Sequence, residues 1–221
     1  MTSMTAPATS APSTVKALLA CGVLAGPFYL AVGLAQALTR DGFDIRRHPL
    51  SVLSNGELGW IQIGNFVLSG LLVLAAAVGL GRATTTGPGR RWGPGLIAGY
   101  GVGLLAAGAF SADPFDGFPV GTPAGPAEST SWHGVMHFVA GGIGFFALIG
   151  ACLVFARRFA VLGRRGWAGY SAVTGVLFLA AFVGISSGNP SAAILLAFTA
   201  AVILGWTWLS LLSLLVLRRC R

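Results

Sequence analysis

His133 and His137 stand four residues apart in TSWHGVMHFVAGGIG, Thr130 to Gly144, where a polar stretch turns into a long apolar run. At i and i+4 two imidazoles share a helix face and can hold one metal ion through their ring nitrogens. A catalytic zinc centre needs three protein ligands and an open position, and His48 or Asp113 would supply the third. A remaining carboxylate would then act as general base on a zinc-bound water whose pKa the metal lowers. On this reading His48, His133 and His137 are metal ligands, Asp113 and Ser51 are the catalytic candidates, and Ser54, Asn65, Asp116 and Glu128 support them. The chemistry would be hydrolysis of a lipid or an amide at a membrane surface.

The same residues admit plainer roles. His133 would lie among lipid headgroups, His137 would hydrogen-bond Asn65 or a loop carbonyl, and Asp113, preceding Pro114, would end a helix. A proton-linked or ligand-gating role is a third alternative. Ionisable groups argue most strongly for function when they lie deep in a span, and these lie near span ends. The chain has no phosphate-binding glycine loop, no H-E-x-x-H zinc helix, no G-x-S-x-G elbow and no paired-cysteine metal pattern.

The elements that must position these groups are apolar helices. Of 221 residues, 55% are hydrophobic, 9% are charged and 33 are glycine, a balance far from that of a soluble domain. Six stretches reach the roughly 20 residues that cross a bilayer core. They run 17–38, 58–80, 92–112, 135–156, 167–185 and 191–217, so the expected fold is all-α, one bundle of six transmembrane helices over residues 15–217. Residues 1–14, uncharged Ser, Thr, Ala and Pro, are expected to be a disordered tail, and 218–221 a basic one. A cleavage-like Ala35-Gln36-Ala37 would leave five spans, but the single Lys16 and the length of the first apolar run argue against a signal peptide.

Charge sets the orientation. Loops rich in Lys and Arg stay in the cytoplasm. With both termini inside, eleven of the fourteen basic residues fall in inner segments, and only Arg40, Arg46 and Arg47 fall outside. All six acidic residues and all three histidines map to the outer side. This is the pattern of a multi-pass membrane protein with both termini in the cytoplasm. The net charge of +8 lacks the basic stripe or recognition motif of a nucleic-acid binder, so lipids, or a small-molecule ligand, are the expected partners.

Small and polar residues at helical spacing mark interior faces in lipid: Gly22, Gly26, Tyr29, Gly33 and Gln36; Gln62, Asn65 and Ser69; Gly99 and Gly103; Tyr170, Ser171 and Thr174; and His133, His137, Ala140, Gly141 and Gly144. Ile45, Leu50 and Leu53 predict that the loop 39–57 folds back on the bundle, whereas 113–130, with four prolines and three glycines, should be irregular. GRRWGPG and GRRGWAG open the third and fifth spans alike, either as an internal repeat of helical hairpins or as routine Arg and Trp interface anchors.

The stretches RHPLSVLSNGELGWIQIGNFVLSGLL, GAFSADPFDGFPVG and SWHGVMHFVAGGIGFF, beginning at Arg47, Gly108 and Ser131, resemble the bacterial integral membrane proteins grouped as domain of unknown function 998. More distantly the architecture is similar to the six-helix Frag1 and DRAM type membrane proteins, which are linked to lipid handling. The resemblance implies a six-helix membrane protein whose recurring polar residues are His48, Ser51, Ser54, Trp60, Asn65, Asp113, His133 and His137. It implies a place and no reaction. The expected function is that of a membrane factor binding a lipid or a partner through an outer polar pocket, and the alternative is the zinc-dependent hydrolase.

Overall fold

The computed structural model describes residues 12–125, 129–188 and 191–220. Six helices follow one another: α1 (Ser13–Thr39), α2 (Gly59–Ala83), α3 (Trp92–Ala109), α4 (Trp132–Val161), α5 (Arg165–Ile185) and α6 (Ala192–Arg219), with a short 3-10 helix, Leu50–Ser54, between α1 and α2. Each helix packs on its neighbours in sequence and α6 returns to α1, which closes a ring. Among the described residues there is no β-sheet, only an isolated bridge between Phe115 and Phe118.

Two ends result. The long connections 40–58 and 110–131 and the α5–α6 turn gather at one, here the histidine end, because His48, His133 and His137 lie there. The α2–α3 and α4–α5 turns and the helical termini of the chain gather at the other, the arginine end.

Five helices, α1, α2, α4, α5 and α6, are long and apolar enough to cross a membrane. The expected third span is the exception. α3 has 18 residues, opens Trp-Gly-Pro-Gly and holds six glycines, which dilute its apolar character. Those glycines serve packing: a Cβ on Gly103 would stand 2.7 Å from the Cα of Gly144, so α3 and α4 meet backbone to backbone.

Helix bounds differ from expectation at several ends. α1 starts directly after Pro12, so Ser13 and Thr14 are helical, while residues 1–11 of the expected tail lie outside the described residues. α4 starts at Trp132, which puts both histidines inside the helix. α6 continues through Arg218 and Arg219, whose charges suit the negative end of the helix dipole; Arg221 lies outside the described residues. α3 and α5 both begin just after a glycine of positive φ, Gly89 at 77° and Gly163 at 71°.

The interior follows the small-and-polar faces. Gln36 Nε2 donates to Gln62 Oε1 at 2.9 Å and Asn65 Nδ2 donates to the Tyr29 carbonyl at 3.1 Å, which ties α1 to α2, and within α2 Ser69 Oγ donates to Asn65 Oδ1 at 3.3 Å. Trp208 Nε1 donates to Ser171 Oγ at 3.0 Å between α5 and α6. Phe145, Phe178, Phe182 and Phe198 make an aromatic cluster at the α4, α5 and α6 faces.

A capped cavity as candidate functional site

The loop after α1 folds back as its apolar pattern predicts, with Leu50, Val52 and Leu53 buried. This turn locks itself, Ser54 Oγ donating to the Ser51 carbonyl at 2.8 Å. His48, just before it, is fully buried among Phe43, Phe115 and Phe118. Its Nδ1 accepts from the Asp44 N–H at 3.0 Å, so Nε2 carries the hydrogen and donates to the Asp116 carbonyl at 3.0 Å. Both ring nitrogens are thereby engaged.

Asp116 joins the two long loops. Its backbone is left-handed, φ 45°, an unusual state for a residue with a Cβ. Three bonds from Arg47 hold it there: Nε to Oδ2 at 2.9 Å, and one guanidinium nitrogen to Oδ1 at 2.6 Å and to the carbonyl at 2.8 Å. The Arg47 hydrogen bonds, and then the Gly125 N–H, hold the Asp116 carboxyl down to about 2. Arg40 donates to the Leu53 and Asn55 carbonyls, each at 2.6 Å, and its guanidinium lies 4.8 Å from the centre of the buried Phe118 ring. Arg46 pairs with Asp44, and its hydrogen bonds lower the Asp44 pKa.

Asp113 sits on the first turn of α4. Ser131, the N-cap, accepts from the Gly134 N–H at 3.0 Å, and Asp113 in turn accepts from the Ser131 N–H at 2.8 Å and from its hydroxyl. The carboxylate occupies the space where a side chain on residue 134 would begin, which is why glycine stands there. His137, one turn further on, closes the opposite end of the neighbouring helix. Its Nδ1 lies 2.7 Å from the Phe110 carbonyl and 3.2 Å from that of Ala107, the last carbonyls of α3. Both partners are acceptors, so Nδ1 carries the hydrogen and Nε2 of the neutral ring is an acceptor. His133 does not face the interior as its spacing suggests. It is exposed, edge-on to Trp132 at 3.7 Å between ring centres.

Beneath these loops lies a cavity of about 590 Å³, within the range of small-ligand pockets. Pro49 to Val52 and Asp113 to Phe115 roof it, and it reaches Ile185 and Gly188 at the end of α5 and Leu195 at the start of α6. Tyr29, Phe66, Tyr100, Phe145, Phe198 and Trp206 supply aromatic wall, with Tyr29 stacked on Trp206 at 4.6 Å. Gly141 also lines it, and a Cβ there would meet nothing within 4 Å. The wall residues Tyr29, Tyr100 and Trp206 were not among the expected site residues. Trp206 had a signal in sequence, because a tryptophan deep in a span departs from the interfacial preference of that residue.

The sequence model of the family described as "Protein of unknown function (DUF998)" matches residues 23–215, from the first turns of α1 almost to the end of α6. The chain belongs to that family. No curated protein and no solved structure matches it. In this DUF998 protein the expected ligand set is dispersed: His48 is consumed by the loops, His137 caps α3 and His133 is exposed. Among the described residues no group of three or more His, Cys, Asp or Glu is placed to hold a metal ion. Of the remaining candidates, Ser51 and Asp113 line the cavity, Ser54 locks the 3-10 turn, Asn65 ties α1 to α2, Asp116 clamps the loops and Trp60 is exposed. Glu128 lies outside the described residues.

Proposed function

We propose that this DUF998 protein is a six-span factor of a bacterial cytoplasmic membrane that binds one lipid or lipid-like molecule in the cavity under its histidine end. That end faces the outside and both termini face the cytoplasm, an orientation supported by the concentration of arginines at the opposite end. The cavity carries the reading: an aromatic, apolar chamber with few polar groups at its rim suits a hydrocarbon chain whose headgroup stays near the loops.

Native mass spectrometry of the full chain, released from a lipid-rich membrane extract, tests this. The expected spectrum shows one amphiphile per chain, and the Gly141→Phe variant, which fills the cavity from a position with open space, loses it. Replacing glycine within a helix also favours that helix, and thermal unfolding of the variant beside the wild type separates loss of ligand from loss of fold. Equal ligand retention in both proteins would remove the cavity as the binding site.

A further inference from the structure

Resting on that reading, we propose that the cavity selects a single-chain amphiphile with an ammonium headgroup. The chemistry of the rim points to this class. Among the described residues, Asp113 is the only carboxylate on the cavity wall and no Lys or Arg lines it. The three arginines of this end are already engaged: Arg40 with two carbonyls and the Phe118 face, Arg46 with Asp44, and Arg47 with Asp116. A phosphate or carboxylate headgroup would thus meet a like charge and no cation.

The start of α4 would by itself attract an anion, but it is occupied. The Gly134 N–H goes to Ser131 Oγ, and the Asp113 carboxylate lies against that turn. Asp113 is only half-buried and accepts two hydrogen bonds, which leaves further lone pairs on its oxygens. His137 adds a second acceptor to the wall, since the α3 carbonyls fix its hydrogen on Nδ1 and leave Nε2 with a lone pair. An ammonium group has three N–H donors and no acceptor, and it is charged at neutral pH, which matches a rim of acceptors. The chamber has the volume of one small ligand, so a single chain fits better than a two-chain lipid.

The test is a competition in detergent between oleylamine, monoolein, oleate and oleoyl phosphate on the full chain, read by native mass spectrometry. All four share one chain and differ in headgroup charge. Oleylamine is expected to bind about tenfold or more tighter than the other three, as a charge-assisted contact to Asp113 requires, and to be lost in Gly141→Phe. Asp113→Asn keeps an acceptor for Ser131 and should bring oleylamine down to the level of monoolein, leaving monoolein unchanged. Should that variant fail to fold, the wild-type series alone decides. Equal binding of all four, or a preference for oleate or oleoyl phosphate, overturns the headgroup assignment while leaving lipid binding in place. Binding of none of the four overturns the lipid-binding reading itself.

Discussion

The two ends of the helix ring handle their charges in opposite ways. At the histidine end every arginine has a defined partner, and Arg47 with Asp116 and His48 with Asp116 fasten one long loop to the other across 69 and 68 residues of sequence. At the arginine end, of the described arginines only Arg158 and Arg90 donate to the protein, Arg158 to the Thr86 and Pro88 carbonyls and Arg90 to that of Thr85. One end is a built cap over a cavity. The other, apart from Arg158 and Arg90, is a set of exposed arginines on short turns and helix ends.

Substitutions should therefore be costly at one end and nearly silent at the other. The largest effect is expected from His48→Ala, which empties a buried aromatic cage and leaves the Asp44 N–H and the Asp116 carbonyl without their partner. Thermal unfolding in detergent should report a loss of about 3 kcal/mol. A loss no larger than that of a surface change would mean the cap is not held by this ring.

Next comes Gly134→Ala, whose methyl must displace Asp113 from the first turn of α4. The cost should be about 1–2 kcal/mol, the scale of a lost N-cap. Asp113→Ala together with Gly134→Ala should be no worse than Asp113→Ala alone, because the clash has gone; additive losses in the cycle would refute that contact.

This part of the site shows what sequence makes legible. Periodicity of small and polar residues located the interior faces, as at Gly22, Gly26 and Gln36 or Gln62 and Asn65, because a helix repeats its faces regularly. Leu50 and Leu53 likewise announced the fold-back. Charge counting placed Arg47 and Asp116 on one side but gave no sign of their pairing, since two irregular loops carry no period from which a register can be read. The i and i+4 spacing of His133 and His137 suggested a shared role, yet the short start of α4 lets one ring reach the end of α3 while the other stays exposed. α3 was legible as a helix and less so as a span, because its glycines serve close approach to α4 rather than contact with lipid.

A smaller effect concerns acid. The Asp116 carboxyl is held down to about 2 by Arg47, against about 3.9 for an unpaired Asp. A carboxylate with a lowered folded-state pKa contributes stability above the unfolded value and loses it as pH falls through the folded one. The pair is partly exposed, 45% at the Arg47 side chain and 21% at Asp116, so its worth should stay below about 1 kcal/mol. The stability gap between wild type and Asp116→Asn should be open at about pH 5 and should narrow between about pH 4 and pH 2. A gap that widens in acid would contradict the assignment.

The smallest effect belongs to the arginine end, where Arg157→Ala should change stability by no more than about 0.5 kcal/mol. A loss comparable to that of His48→Ala would erase the contrast between the ends.

The most direct test of the central claim is photolabelling of the membrane-embedded protein with an oleylamine analogue carrying a diazirine on its chain, followed by peptide mapping. The account predicts labels on the cavity wall, at Tyr100 to Ala107, Gly141 to Phe145 and Thr199 to Trp206, lost in Gly141→Phe. Labels confined to outward-facing residues such as Leu68, Val102 and Val176, and unchanged in that variant, would contradict it.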